Sequence, residues 1–319
     1  MLKFLVRRLT LGVAVMWVVA TAVFILYFIA PHDVARTLAG KQSTERVIQL
    51  IRHRLGLDKP ITEQYLDYLN RLLHGDLGYS YVNSMPVVNV IKEDLPITAS
   101  VAFGGAILWL LIGVSAGVLA ATRPRSFLDR TVTAFALFFY SMPVFLLGQL
   151  FLLLLFFRLT MAGFDIFPGG GYVPFAASPG EWLRHLILPW FTVALVSAST
   201  YARLTRGSML EVLGEDYIRT ARSKGLRERR VIYRHGLRAG MSPVVTQFGI
   251  DLGTLLGGVI LTETVFGLPG LGQQIVTSIS DGDLPVIMGL VLLASGFIVL
   301  ANIVVDALYA VLDPRVRLT

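Results

Sequence analysis

The chain has 319 residues, of which 55% are hydrophobic, 15% are charged and none is cysteine. Its mean hydropathy of +0.68 is above that of soluble globular proteins and assigns it to a bilayer. Disulfides and thiolate metal sites are excluded. The formal charge of +7 does not point to nucleic acid, because the basic residues flank apolar runs rather than forming a separate polar domain.

Residues 9–30 form the first charge-free run, long enough to cross about 30 Å of hydrocarbon. Lys3, Arg7 and Arg8 precede it as in a signal peptide. The run exceeds the roughly 7 to 15 residues of a secretory core and no small-residue cleavage site follows, so it is expected to remain as a span. Residues 31–96 are more polar. In them Val47, Ile51 and Leu55, then Ile61, Tyr65, Leu69 and Leu72, recur at helical spacing and predict two amphipathic helices. Residues 97–122, 131–157, 186–202 and 284–305 are again charge-free, and 239–262 is broken only by Asp251. The expectation is therefore an all-α integral membrane protein with six spans. It divides into a first span (1–30), an extracytoplasmic helical segment (31–96) and a core (97–319) with a cytoplasmic loop at 205–238.

Orientation follows from the short loops. Arg123, Arg125 and Arg130, the cluster from Arg203 to Arg238, and Arg315 and Arg317 all fall on one side. That side is cytoplasmic by the excess of positive charge, which puts both termini inside.

The densest basic stretch, EDYIRTARSKGLRERRVIYRHGLRAGMSP, lies between the fourth and fifth runs and opens with Glu215. Tyr217, Ile218, Ala221 and Leu226 line one side of a helix whose other side carries Arg219, Arg222 and Lys224. Gly225 allows a turn, and Val231, Ile232 and Tyr233 begin a second helix. A basic amphipathic pair of this kind serves equally as a protein-docking surface or as an interfacial element held by anionic lipid.

In the fifth run, Gly249, Gly253 and Gly257 repeat every four residues and predict a smooth face for helix packing. Gln247, Asp251 and Thr254 fall roughly opposite. An acid inside a span faces either a water-filled path or a partner group, so Asp251 is a candidate for both. The following loop, ETVFGLPGLGQ, contains Phe266, Gly267, Pro269 and Gly270. It either dips toward the path, which irregular backbone does only where protein or water surrounds it, or packs as an outer loop.

Covalent chemistry has no support: there is no phosphate loop of the form G-x-x-x-x-G-K-[ST] and no H-E-x-x-H metal motif. Gly169, Gly170 and Gly171, set between Pro168 and Pro174, read as a turn. No metal site or catalytic residue is expected in this chain. An ion-coupled secondary transporter, with Asp251 as coupling site, and a non-transporting membrane scaffold remain alternatives at this level.

The run YIRTARSKGLRERRVIYRHGLRAGMSPVVT resembles the signature loop of permease subunits from binding-protein-dependent ABC importers, specifically the peptide/nickel class. FLVRRLT, LGLDKPITEQYLDYLNRLLHGDLGYSY, SMPVFLLGQL, TETVFGLPGLGQQIV and LDPRVRL extend the resemblance over nearly the whole chain and favour the first of the two permeases. Where the wider group has Glu-Ala-Ala, this chain has Arg219, Thr220 and Ala221. The resemblance implies a coupling contact over residues 217–225, with Gly225 at the turn, and import of short peptides across the cytoplasmic membrane of a bacterium or archaeon. It also implies a second, homologous permease subunit, two cytoplasmic ATPases that bind ATP and magnesium, and an extracytoplasmic binding protein. Nickel, haem or another small solute is the alternative cargo.

Overall fold

The computed structural model describes residues 2–28, 44–54, 56–80 and 82–312. Helix α1 (Leu2–Phe28) is followed by the short helices α2 (Glu45–Arg54) and α3 (Ile61–Leu73). Strands β1 (Tyr79–Ser80) and β2 (Met85–Pro86) form an antiparallel ribbon with Tyr79 opposite Pro86. Then come α4 (Val87–Thr122), α5 (Phe127–Tyr140), α6 (Val144–Met161) and α7 (Pro179–Leu213). Helix α8 (Asp216–Ser223) precedes α9 (228–240), whose middle, Val231–Leu237, is a π-helical turn. Helices α10 (Ser242–Gly258), α11 (Ile260–Phe266), α12 (Leu271–Asp281) and α13 (Leu284–Leu312) follow among the described residues. Among the described residues, Val6–Leu26, Val87–Thr122, Val144–Met161, Pro179–Leu213 and Leu284–Val304 are long and apolar enough to cross a bilayer.

Two compact units are formed, residues 97–273 and residues 1–96 with 274–319. In the second of these, α1 packs along α13. The predicted amphipathic helices are α2 and α3. Tyr65, on the inner face of α3, meets Thr21 of α1 at 2.7 Å between hydroxyls, and its ring lies edge-on to Phe24 at 5.1 Å. Residues 31–43 and 55, including the expected Leu55, lie outside the described residues, as does the Ile51 side chain. Buried Ser80 donates to buried Asp283 at 2.5 Å, tying the ribbon to the start of α13.

The unit formed by residues 97–273 departs from the predicted spans in three places. The expected continuous helix over 131–157 is broken at Ser141–Met142–Pro143, giving α5 and α6. Pro143 has no N–H to donate and disfavours helical backbone at Met142. A charge-free run cannot register this, because the interrupting residues are uncharged. The expected helix over 239–262 is likewise split at Val259, directly after Gly257 and Gly258. Helix α7 exceeds the predicted 186–202 at both ends. Its N-terminus is set by Ser178, whose hydroxyl accepts from the Glu181 amide, and by Pro179 in the first turn.

Trp109, Leu186, Tyr201, Phe266 and Leu268 anchor the core of this unit. Helices α4 and α7 approach closely at Gly113 and Gly117. A Cβ there would lie 2.8 Å from the Ala198 carbonyl oxygen and 2.7 Å from that of Ala202, so these positions admit no side chain without separating the helices. On another face of α4, Phe103, Ile107 and Leu111 are 62%, 59% and 60% exposed at four-residue intervals. A stripe like this is expected where lipid or a partner helix replaces water.

Candidate functional site

Within residues 97–273, five helices surround a cavity of about 380 Å³. Helix α7 lines it with Val193, Val196, Ser197, Thr200 and Tyr201, which recur at three- and four-residue spacing on one face. Helix α10 supplies Gln247, Asp251 and Leu255, also every four residues, and Val259 follows. Trp109 of α4, Tyr140 of α5 and Val144 of α6 close the wall. Among the described lining residues Asp251 is the only charged one. Its carboxylate accepts from the Tyr201 hydroxyl at 2.7 Å and from Gln247 Nε2 at 2.9 Å. The Trp109 ring lies 5.9 Å from that of Tyr201, and the Arg203 guanidinium sits 4.4 Å above the Tyr140 ring.

Of the predicted polar face, Gln247 and Asp251 are thus brought together on the cavity. The side chain of Thr254, and positions Gly253 and Gly257 of the predicted glycine face, lie outside the residues described in that detail. Gly249 is buried. Tyr201 was not foreseen: an aromatic in an apolar run carries no signal that it will meet an acid 50 positions later.

The basic stretch folds as two helices around a tight turn. Ile218 and Ala221 of α8 are buried against Val231, with Val212, Leu213 and Leu226 packed around them. Tyr217 does not share that side as expected; it is 46% exposed. Adjacent residues of a helix point about 100° apart, and the small cluster takes in only the pair spaced by three. The outward surface therefore carries Tyr217, Arg219 and Lys224, with Glu215 just ahead of the helix. Gly225 has φ +72°, and a Cβ there would touch nothing within 4 Å, so backbone conformation rather than crowding demands glycine. Arg222 reaches across the turn to Glu228 at 2.8 and 3.2 Å, and this hydrogen-bonded guanidinium holds the Glu228 carboxyl below its usual range.

The hairpin rests on the end of α7. Ser208 donates to the Gly240 carbonyl at 2.9 Å, and Gly236 lies beneath Leu213 and Met209. Slightly earlier on α7, Arg206 grips Asp129 of α5 through Nε at 2.6 Å and an Nη at 2.9 Å. Asp129 is 4% exposed and also accepts from the Arg125 amide. The guanidinium holds its carboxyl at about 2. One helix thus carries the cavity wall and anchors the hairpin.

The loop after α11 packs inward. Phe266, Leu268 and Gly270 are buried, whereas Gly267, at φ +58°, and Pro269 are exposed. The loop wraps the fully buried Glu263, which was also not foreseen as a site. Its carboxylate accepts from Thr98 of α4 at 2.6 Å and from the Gly272 and Gln273 amides of α12 at 2.7 and 3.1 Å. A Cβ at Gly270 would fall 2.5 Å from this carboxylate.

The family described as "Binding-protein-dependent transport system inner membrane component" matches residues 113–318, and its N-terminal counterpart matches residues 1–102. A probable peptide ABC transporter permease protein of Sinorhizobium fredii is 39% identical over 314 residues, covering 98% of this chain and 99% of that protein. The dipeptide transport system permease protein DppB of Escherichia coli K12 is 38% identical, with 99% of both chains covered. Among solved structures, an inward-facing form of the MetNI methionine ABC transporter superposes with a TM-score of 0.51 over 68% of this chain and 95% of its own, at 22% identity. That likeness is one of fold.

Proposed function

The chain belongs to the family of binding-protein-dependent transport system inner membrane components, and from that premise we propose that it is the permease subunit through which an ABC importer moves short peptides. The observation that carries the peptide reading is near-full-length identity of 38 to 39% to relatives named for peptide and dipeptide transport. In this reading the chain makes six crossings, the fifth of them formed by α10 and α11 together, and both termini are cytoplasmic. It pairs with a homologous permease, two cytoplasmic ATPases and an extracytoplasmic binding protein. ATP and magnesium are handled by the ATPases, since this chain has no phosphate loop.

Its own residues do mechanical work. The outward face of α8, with Tyr217, Arg219 and Lys224, is the docking surface for an ATPase, while Ile218 and Ala221 fix the hairpin to the rest of the chain. Tyr201 on the cavity and Val212 under the hairpin lie on the same helix, about 16 Å apart along its axis. Helix α7 then transmits hairpin displacement to the cavity wall as a two-state shift of packed elements. Asp251 and Gln247 line the transport path.

Reconstitution into vesicles, with the partners that copurify, tests the proposal. ATP-driven accumulation of labelled trialanine is expected in the presence of the binding protein. Accumulation under an ion gradient without ATP would instead favour a secondary transporter, and uptake of nickel or haem but not trialanine would replace the cargo.

A further inference from the structure

The cavity combines features that a transport path alone does not require. Its one charged lining group among the described residues is a carboxylate, set among aromatic and hydroxyl side chains. The Tyr201 hydroxyl and the Gln247 amide donate to different oxygens of Asp251 and fix the orientation of its carboxylate at the cavity wall. Ser197 and Thr200 add neutral acceptors on the facing helix. The rings of Trp109 and Tyr201, 5.9 Å apart on the cavity wall, add π surface that favours a cation, whereas the Tyr140 ring is already taken by the Arg203 guanidinium. At about 380 Å³ the space lies at the lower end of the range for small-ligand sites, roughly 300 to 1,000 Å³. A metal ion would need several converging ligands, and no group of three or more acidic or histidine side chains occurs among the described residues.

We infer that this cavity is a transient binding site for the free amino terminus of the transported peptide, with Asp251 accepting its ammonium group and the apolar wall of Leu255 and Val259 receiving the adjoining side chain. The inference rests on the importer reading above. An ammonium entering the cavity exchanges water for a charge-assisted hydrogen bond to a pre-oriented carboxylate, an interaction stronger than a neutral one. Acetylation of the peptide nitrogen removes the charge and two of the three donors while leaving the remainder unchanged.

The test uses the purified complex with the binding protein omitted, so that the binding protein's own preference does not enter. Fluorescence is followed during titration with trialanine, trialanine amide and N-acetyl-trialanine, and a Trp109→Phe complex isolates the signal from Trp109. Trialanine and its amide are expected to bind within about twofold of each other, and the acetylated peptide at least about tenfold more weakly, the loss of one good charged hydrogen bond. Asp251→Asn should bring trialanine to the level of the acetylated peptide. Asn at this position still accepts from Tyr201 and, with Gln247 turned over, keeps its second bond, so folding is preserved; the blocked-peptide comparison in the unaltered complex needs no variant at all. Equal binding of blocked and unblocked peptide, or a tenfold gap that persists in Asp251→Asn, would overturn the assignment. ATP-driven trialanine uptake measured in parallel separates the two readings. Uptake without any peptide response from Trp109 overturns the site and leaves the importer standing, whereas absence of uptake for every peptide overturns both.

Discussion

At the scale of single residues, substitutions at Asp251 separate a pathway role from a structural one. Asp251→Asn preserves shape and hydrogen bonding, so complex yield is expected to stay near that of the unaltered chain while transport per complex falls. Asp251→Leu leaves the Tyr201 hydroxyl and the Gln247 amide without their acceptor, at about 1 to 3 kcal/mol each, and yield should fall as well. Normal transport per complex in Asp251→Asn would remove Asp251 from the path. Glu263 behaves differently, because it is fully enclosed. Glu263→Gln can keep its carbonyl oxygen on the Gly272 and Gln273 amides and donate to Thr98, whereas Glu263→Leu strips both amides of their acceptor, and thermal unfolding of the purified chain should reveal a loss of about 1 to 3 kcal/mol for each amide.

Asp129 supplies a pH dependence. Its folded value of about 2 is below the ordinary 3.8, so the pair with Arg206 stabilises fully above about pH 4 and is lost as pH falls through 2. Asp129→Asn should therefore lower stability by about 1 to 3 kcal/mol near neutrality. This is less than the roughly 3 to 5 for a fully enclosed pair, because the Arg206 side chain is 33% exposed. The difference in melting temperature from the unaltered chain should shrink toward zero between pH 4 and 2. A difference independent of pH would show that the Asp129 charge contributes nothing.

At the scale of elements, the crossing of α4 and α7 depends on the absence of side chains at Gly113 and Gly117. Gly113→Leu and Gly117→Leu are expected to force the helices apart and lower the yield of folded chain, whereas Gly207→Ala, with open space around it, should be neutral in the isolated chain. These contacts mark where sequence reading stops. Charge-free runs, helical spacing and the basic stretch revealed the helices, the amphipathic pair α2 and α3 and the Gly225 turn, because each is encoded within a few neighbouring residues. The break at Pro143 was present as a proline signal but masked by uncharged neighbours. The unions of Asp251 with Tyr201, Asp129 with Arg206 and Glu263 with Thr98 span 50, 77 and 165 positions, and no local periodicity records them.

At the scale of the whole molecule, topology and coupling are the properties to test. The chain has no cysteine, so single cysteines report without background. Exposed Ala176→Cys should label with an impermeant thiol reagent from outside sealed cells; it leaves intact the neighbouring Ser178, which caps α7. Ser223→Cys on α8 should label only after the membrane is opened. Labelling of Ser223→Cys in sealed cells would invert the orientation.

The central claim is that α7 links the hairpin to the cavity. It is tested most directly by the ATP-dependence of labelling at Ser197→Cys, a cavity-lining position, in a complex whose partners are made cysteine-free. Addition of ATP is expected to move its reactivity from the cytoplasmic to the external reagent. A second substitution, Gly225→Val, forces a branched residue into the φ +72° turn and should abolish the shift while the complex remains in the membrane. An ATP-driven shift of the same size in the Gly225→Val complex would contradict the account.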